Sequence, residues 1–225
     1  AGAPVVSLGA RDRREQTSSI LVDHAVRLAG SSRHVVDQNL ELLKAPPLGI
    51  PVVAPAPDAR YLLAVSRPDA DAFADSLPRP FALFHPGSSR SEKVWGEERF
   101  ATLARRLEEQ RGLAPVVSWG PGDERRAERL ARLVPRATRI PLLDFAGLAH
   151  VVARAALFIG GDTGPVHLAD ALSVPTLALF SPTATRNVPE RNRPYRGAGM
   201  RYDPKDVEAV VLAAFSALGE ASPAR

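Results

Sequence analysis

Between Gly160 and His167 the chain carries two glycines, a carboxylate, a hydroxyl, a third glycine, a proline and an imidazole. At a turn from strand to helix, such residues can hold an anion. Glycine permits a tight exit from the strand, Asp162 or Thr163 can cap the helix, and Gly164 keeps the turn open. Pro165 suits the first helical position, and the free amides there stand at the positive end of the helix dipole. His167, one turn further on, either faces the same crevice or acts as a structural hydrogen-bonder.

Two other turns offer related chemistry. In "HPGSSRSEKVW", His85 to Trp95, Gly87 allows close approach of the backbone, and Ser88 and Ser89 supply hydroxyls and amides. Lys93, one of three lysines in the chain, is a point charge on a flexible stem that suits a diphosphate. The competing reading of this turn is a serine-rich loop with a solvated lysine. In "WGPGDERRAERL", Gly120, Pro121 and Gly122 break a strand and Asp123 can cap the following helix. Glu124 can accept hydrogen bonds from a ribose diol, or can simply be an acid favoured by the helix dipole.

Something must bring these turns together. From Pro80 onward, short apolar runs alternate with amphipathic stretches. The runs at 81–85, 114–119, 156–160 and 175–180 predict strands buried on both faces, with a weaker strand at 137–140. Between and after them, apolar residues recur every three or four positions over 97–110, 123–134, 144–155, 165–172 and 204–218, which predicts helices. This is the pattern of a doubly wound α/β domain, and such sheets bind ligands beyond the carboxyl ends of their strands. The three turns all fall there. The first 50 or so residues predict a short strand and two helices, the second in "SRHVVDQNLELL"; Lys44–Asp58, with five prolines, reads as a linker.

Composition narrows the function classes. The chain has 225 residues, no cysteine and a net charge of +4 from 29 basic and 25 acidic side chains. Disulfides, thiolate catalysis and cysteine-held zinc are excluded, and no run approaches the ~20 apolar residues of a membrane span. The basic runs are broken by acids and do not cluster with aromatics, so nucleic acid is not expected as a partner. No GxGxxG, Walker, GxSxG or HExxH motif occurs, and the five histidines are scattered.

Taken in order, "FHPGSSRSEKVWGEERFATLA", "WGPGDERRAERL" and "ALFIGGDTGPVHLADALSVPTLALFSPT" resemble the C-terminal half of family 9 glycosyltransferases, the ADP-heptose:lipopolysaccharide heptosyltransferases. The match covers about residues 80–218, and the Asp-Thr-Gly-Pro-x-His-Leu-Ala string is its most specific part. "RHVVDQNLELL" resembles the late part of that family's N-terminal domain. The resemblance implies a GT-B fold: a complete C-terminal Rossmann-like domain at 80–218 and a partial N-terminal, acceptor-side domain with its linker at 1–58. Residues 59–79 would join them and 219–225 would be a tail.

It further implies inverting transfer of heptose from ADP-heptose, a substrate, to the lipopolysaccharide inner core, with no separate cofactor or metal. Ser88, Ser89 and Lys93 would face the diphosphate and sugar, Glu124 the ribose, and Leu143 the adenine. Asp162, Thr163, Gly164 and His167 would grip the sugar and phosphates. Lys93 and His167 would stabilise the departing ADP. The acceptor would be lipid-linked, placing a cytoplasmic protein at the inner face of the inner membrane. The family's general base is an aspartate after the first strand; here "VVSLGARD" has Ala10 in that place, so the base is expected outside this chain, which would then bind donor without turnover when alone. Gly96 and Ser181 are smaller departures, where the family commonly has proline and glycine. The alternatives are a nucleotide-sugar-binding module without turnover and a GT-B enzyme with a uridine-linked donor.

Overall fold

The computed structural model describes residues 6–8, 24–26, 34–38, 57–88, 94–182, 189–203 and 205–219. The chain divides into two units, Ala1–Pro55 and Ala56–Arg225. In the first, β1 (Val6–Leu8) pairs in parallel with β2 (His24–Val26), Val6 opposite His24. Residues 35–38 are helical, within the stretch expected as the second helix; the first expected helix and most of the proline-rich linker lie outside the described residues. The second strand was not expected, because three residues are too few to show an alternation.

The second unit opens with a 3-10 turn (Arg60–Ala64) and α1 (Pro68–Ser76). Then follow β3 (Phe81–His85), α2 (Glu97–Arg111), β4 (Ala114–Val117), α3 (Glu124–Leu133), β5 (Thr138–Arg139) and α4 (Phe145–Val152). The unit closes with β6 (Leu157–Gly161), α5 (Gly164–Ala171), β7 (Thr176–Phe180), α6 (Pro189–Asn192), β8 (Ala198–Arg201) and α7 (Val207–Ala217). The strands form one sheet in the order β5-β4-β3-β6-β7-β8, every pair parallel. The expected doubly wound α/β architecture is therefore present. Its order reverses between β3 and β6, which makes the carboxyl ends of those two strands the place where a ligand crevice opens.

The strands are continuous apolar runs because both faces are covered. Ala82, Phe84, Leu157, Ile159, Leu177 and Leu179 pack with α2, α3 and α7, through residues such as Phe100, Leu130 and Val210. Phe81, Leu83, Phe158, Ala178 and Phe180 pack on the other side with α1, α4 and α5, through Ala74, Val151 and Val166. The stretch 59–79, expected between domains, contributes Ala59, Ala74 and Leu77 to this second core. It is also tied to α4 and the turn after it by polar contacts: His150 Nδ1 lies 2.7 Å from Asp71 and its Nε2 3.0 Å from the Val65 carbonyl, while Arg154 donates to Asp71 and Asp75 at 2.9 Å.

β8 was not expected either, since Ala-Gly-Met-Arg has no apolar pattern. Tertiary structure makes it a strand. The buried Asp170 carboxylate accepts from the backbone N–H groups of Tyr195, Arg196 and Gly197 at 2.7, 2.8 and 2.8 Å, delivering the chain to the edge of β7.

Candidate functional site

All three turns open into one cavity of about 720 Å³ beyond the carboxyl ends of β3, β4 and β6. The turn after β3 gives it His85, Gly87 and Ser88; the turn after β4 gives Trp119 and Gly120 to Asp123; the turn after β6 gives Asp162 to Pro165. A fourth segment, unread in the sequence apart from Leu143, completes it: the loop from β5 into α4, with Leu143, Asp144, Phe145 and Leu148. The cavity thus has a polar end at the first and third turns and, at the fourth, an apolar wall of Leu143, Phe145 and Leu148 beside the Asp144 carboxylate.

Local chemistry explains why these turns hold their shapes. α5 begins at Gly164, so Pro165 is its second residue, one later than expected. Thr163 occupies the capping position but does not cap; its hydroxyl donates to the Gly161 carbonyl at 3.3 Å. Pro165 has no N–H and the Val166 N–H donates to the Thr163 carbonyl at 3.2 Å, so what the start of α5 offers an anion is chiefly the positive end of its dipole. Asp123 likewise does not cap α3. Its carboxylate lies where a Cβ on Gly87 would collide with it, so glycine is what lets the first and second turns touch. Partial burial pushes the Asp123 carboxyl up from its ordinary value, and Arg126, 3.5 Å away, offsets part of this. The two expected caps fail for different reasons: the Asp123 carboxylate faces Arg126 of α3, whereas the Thr163 hydroxyl turns back to the preceding strand.

At the fourth segment, Asp144 does cap, accepting from the Gly147 amide at 2.7 Å. Arg67 donates to the same carboxylate at 2.6 Å, and these two bonds, Arg67's first, hold Asp144 below the usual carboxylate range. Trp119 Nε1 donates to the Ile140 carbonyl at 2.9 Å, fixing the end of β4 to that of β5. Phe145 is left about half exposed at the cavity wall, 52% against 7% for Leu148.

Of the residues expected to bind a ligand, Ser88, Leu143, Asp162, Thr163 and Gly164 line the cavity together. Glu124 opens α3 but is turned to Arg139, 3.2 Å away, and is not among the lining residues. His167 is half exposed outside that lining, its Nε2 3.4 Å from Asp162 Oδ1. Ser89 and Lys93 lie outside the described residues. Sequence reasoning passed over His85, Asp144 and Phe145. For His85 there was a signal: a polar, titratable residue closing an otherwise apolar strand at its ligand-bearing end.

The sequence pattern of glycosyltransferase family 9 (heptosyltransferase) matches residues 2–205. The chain belongs to glycosyltransferase family 9. Among family members, lipopolysaccharide heptosyltransferase 1 of Pseudomonas aeruginosa is 37% identical over 182 residues, 80% of this chain and 48% of that protein. The Escherichia coli K12 heptosyltransferase 1 is 30% identical over 174 residues, 76% and 51% of the two chains. This family 9 chain thus spans about half the length of the curated relatives it matches. Its fold is that of GT-B heptosyltransferases. The E. coli heptosyltransferase WaaC, solved with ADP, superposes with a TM-score of 0.67 at 25% identity, over 96% of this chain and 65% of that one. The E. coli ADP-heptose heptosyltransferase II shares the fold alone, with a TM-score of 0.68 at 18% identity over 91% and 68%. Among the described residues of this family 9 chain, no helix is long and apolar enough to cross a membrane.

Proposed function

We propose that the cavity binds ADP-heptose and that the protein transfers its heptose, with inversion, to the inner core of lipopolysaccharide. One observation carries the reading: turns distant in sequence meet in a single cavity with an anion-suited end and an apolar wall, at the switch point of the sheet. A nucleoside diphosphate sugar has the same polarity, a flat base at one end and a diphosphate at the other. The likeness to a heptosyltransferase solved with ADP supports adenine as that base.

Ser88, Ser89 and Lys93 then face the diphosphate and sugar and Leu143 the adenine, and Glu124 takes the ribose by exchanging Arg139 for its diol. Asp162, Thr163, Gly164 and His167 grip the sugar and phosphates. In an inverting transfer, an acceptor hydroxyl attacks the anomeric carbon while the bond to the ADP oxygen breaks and negative charge grows on the leaving group. Lys93, the N-terminal end of the α5 dipole and His167 stabilise that charge. A carboxylate must take the hydroxyl proton. By resemblance, "RHVVDQNLELL" sets residues 1–50 late in the acceptor-side domain, past the turn that carries the family's aspartate, so the base is assigned to a part of that domain other than residues 1–58. The lipid-linked acceptor places the reaction at the inner membrane surface.

Calorimetric titration with ADP-heptose, ADP and UDP tests this. Binding of ADP and ADP-heptose, with UDP much weaker, is expected. A preference for UDP would overturn the adenine assignment, and no binding of any of the three would overturn the donor site. With the full N-terminal domain present, release of ADP in the presence of lipid-linked core acceptor tests the transfer itself.

A further inference from the structure

His85 lines the donor cavity, yet the donor reading gives it no part. The residue is 4% exposed, at the last position of β3, and its ring is fixed on several sides. Phe158 stacks with it at 6.4 Å between ring centroids. Gly160 is its partner across the strands, and a Cβ there would lie 3.3 Å from the His85 Cβ. Nδ1 is 3.0 Å from the Ser118 hydroxyl.

Ser118 decides the proton. Its oxygen is also 3.2 Å from the Phe84 carbonyl, which can only accept. Both contacts are hydrogen bonds together only when Ser118 donates to Phe84 and Nδ1–H donates to Ser118. Nε2 is then left with a lone pair, and among the described residues it has no hydrogen-bond partner. Burial pushes the ring down to about 4, so at neutral pH it is uncharged. An uncharged acceptor repels phosphate oxygens and suits a hydroxyl.

We infer that His85 is a specificity-determining residue whose Nε2 accepts a hydrogen bond from a hydroxyl of the donor sugar. This rests on the donor reading given under the proposed function. Place favours the sugar over the base, because His85 closes β3 near Ser88 and pairs with Gly160 of the strand that leads into Asp162, whereas the apolar wall is built from the segment after β5. A second acceptor in an anion site gives the sugar a contact that ADP alone cannot make.

The test is calorimetry on the full chain with ADP and with ADP-heptose. His85→Asn keeps an N–H near Nδ1 and removes Nε2; His85→Gln restores a polar group near Nε2. His85→Asn is expected to weaken ADP-heptose about 5- to 10-fold while ADP stays within about 2-fold, and His85→Gln to recover part of the loss. Equal loss for both ligands, or no loss for either, overturns the inference. If His85→Asn does not fold, Ser118→Ala carries the test: freeing Nδ1 admits the tautomer that cannot accept, so ADP-heptose alone weakens, and unchanged affinity for it overturns the inference. Wild-type protein that binds neither ligand defeats the donor reading itself, and this inference with it.

Discussion

Replacing His85 by glutamine is expected to flatten the acid side of the stability curve. In the folded chain burial holds the imidazole at about 4, whereas its ordinary value is 6.5. Between those two values the unfolded chain takes up a proton that the folded chain refuses. Acid therefore drives unfolding: the contribution of the neutral ring is complete above pH 6.5 and is lost as the pH falls to about 4. The separation corresponds to about 3 kcal/mol in full, of which roughly 2 kcal/mol is lost between pH 7 and pH 4.5. Urea unfolding of wild type and His85→Gln at those two pH values reads it. The carboxylates of Asp71, Glu98 and Asp144 are held low by hydrogen bonds, to His150, to its own backbone and to Arg67 first in each case, and they titrate alike in both proteins. They cancel in the comparison. Wild type is expected to lose about 2 kcal/mol more than the variant over this range; parallel losses would refute the claim that the ring is buried and neutral.

Other consequences can be measured on the same protein. Asp162→Ala and Lys93→Ala are each expected to weaken ADP-heptose binding by about 1–3 kcal/mol; calorimetry showing no change in both would remove them from the donor site. Gly87→Ala forces a Cβ onto the Asp123 carboxylate, an overpacking cost of about 1–3 kcal/mol. A thermal melt should show it, and adding Asp123→Ala should recover most of it; failure to recover would mean that the two turns are not in contact. Asp170→Ala leaves three backbone N–H groups without their carboxylate, at a cost of about 3 kcal/mol. That is a fall of roughly 6–12 °C in Tm for a unit of this size, and a change under two degrees would contradict the arrangement.

The parts of this fold that were legible in the sequence are those whose neighbours are chemically alike. β3 was read to the residue at 81–85, because both of its faces meet apolar side chains and the whole run must then be apolar. α2 was read to within one residue for the complementary reason, that Phe100, Leu103 and Leu107 repeat along a single buried stripe. β8 was illegible because pairing with β7 and the Asp170 carboxylate place it, and neither leaves a periodic mark on residues 198–201. The helix caps failed in a related way. Asp123 and Thr163 have the right type in the right place, but the Arg126 guanidinium and the Gly161 carbonyl compete for them, and such competitors cannot be weighed from capping preference alone.

The site divides along the same line. Its polar end was legible because glycines, hydroxyls and a helix start are local signals, each confined to one turn. The apolar wall was not, although Leu143 was named by resemblance: Phe145 and Leu148 look like ordinary core positions of an amphipathic helix, and only the placement of β5 beside β4 turns that helix start toward the cavity. Phe145 remains half exposed there, a large ring that folding alone has not covered. Leaving it so forgoes part of the stabilisation that burial gives a phenyl group. A flat base lying against the wall would restore it, so under the proposed donor reading the end of the cavity hardest to see in the sequence is the end that would take adenine.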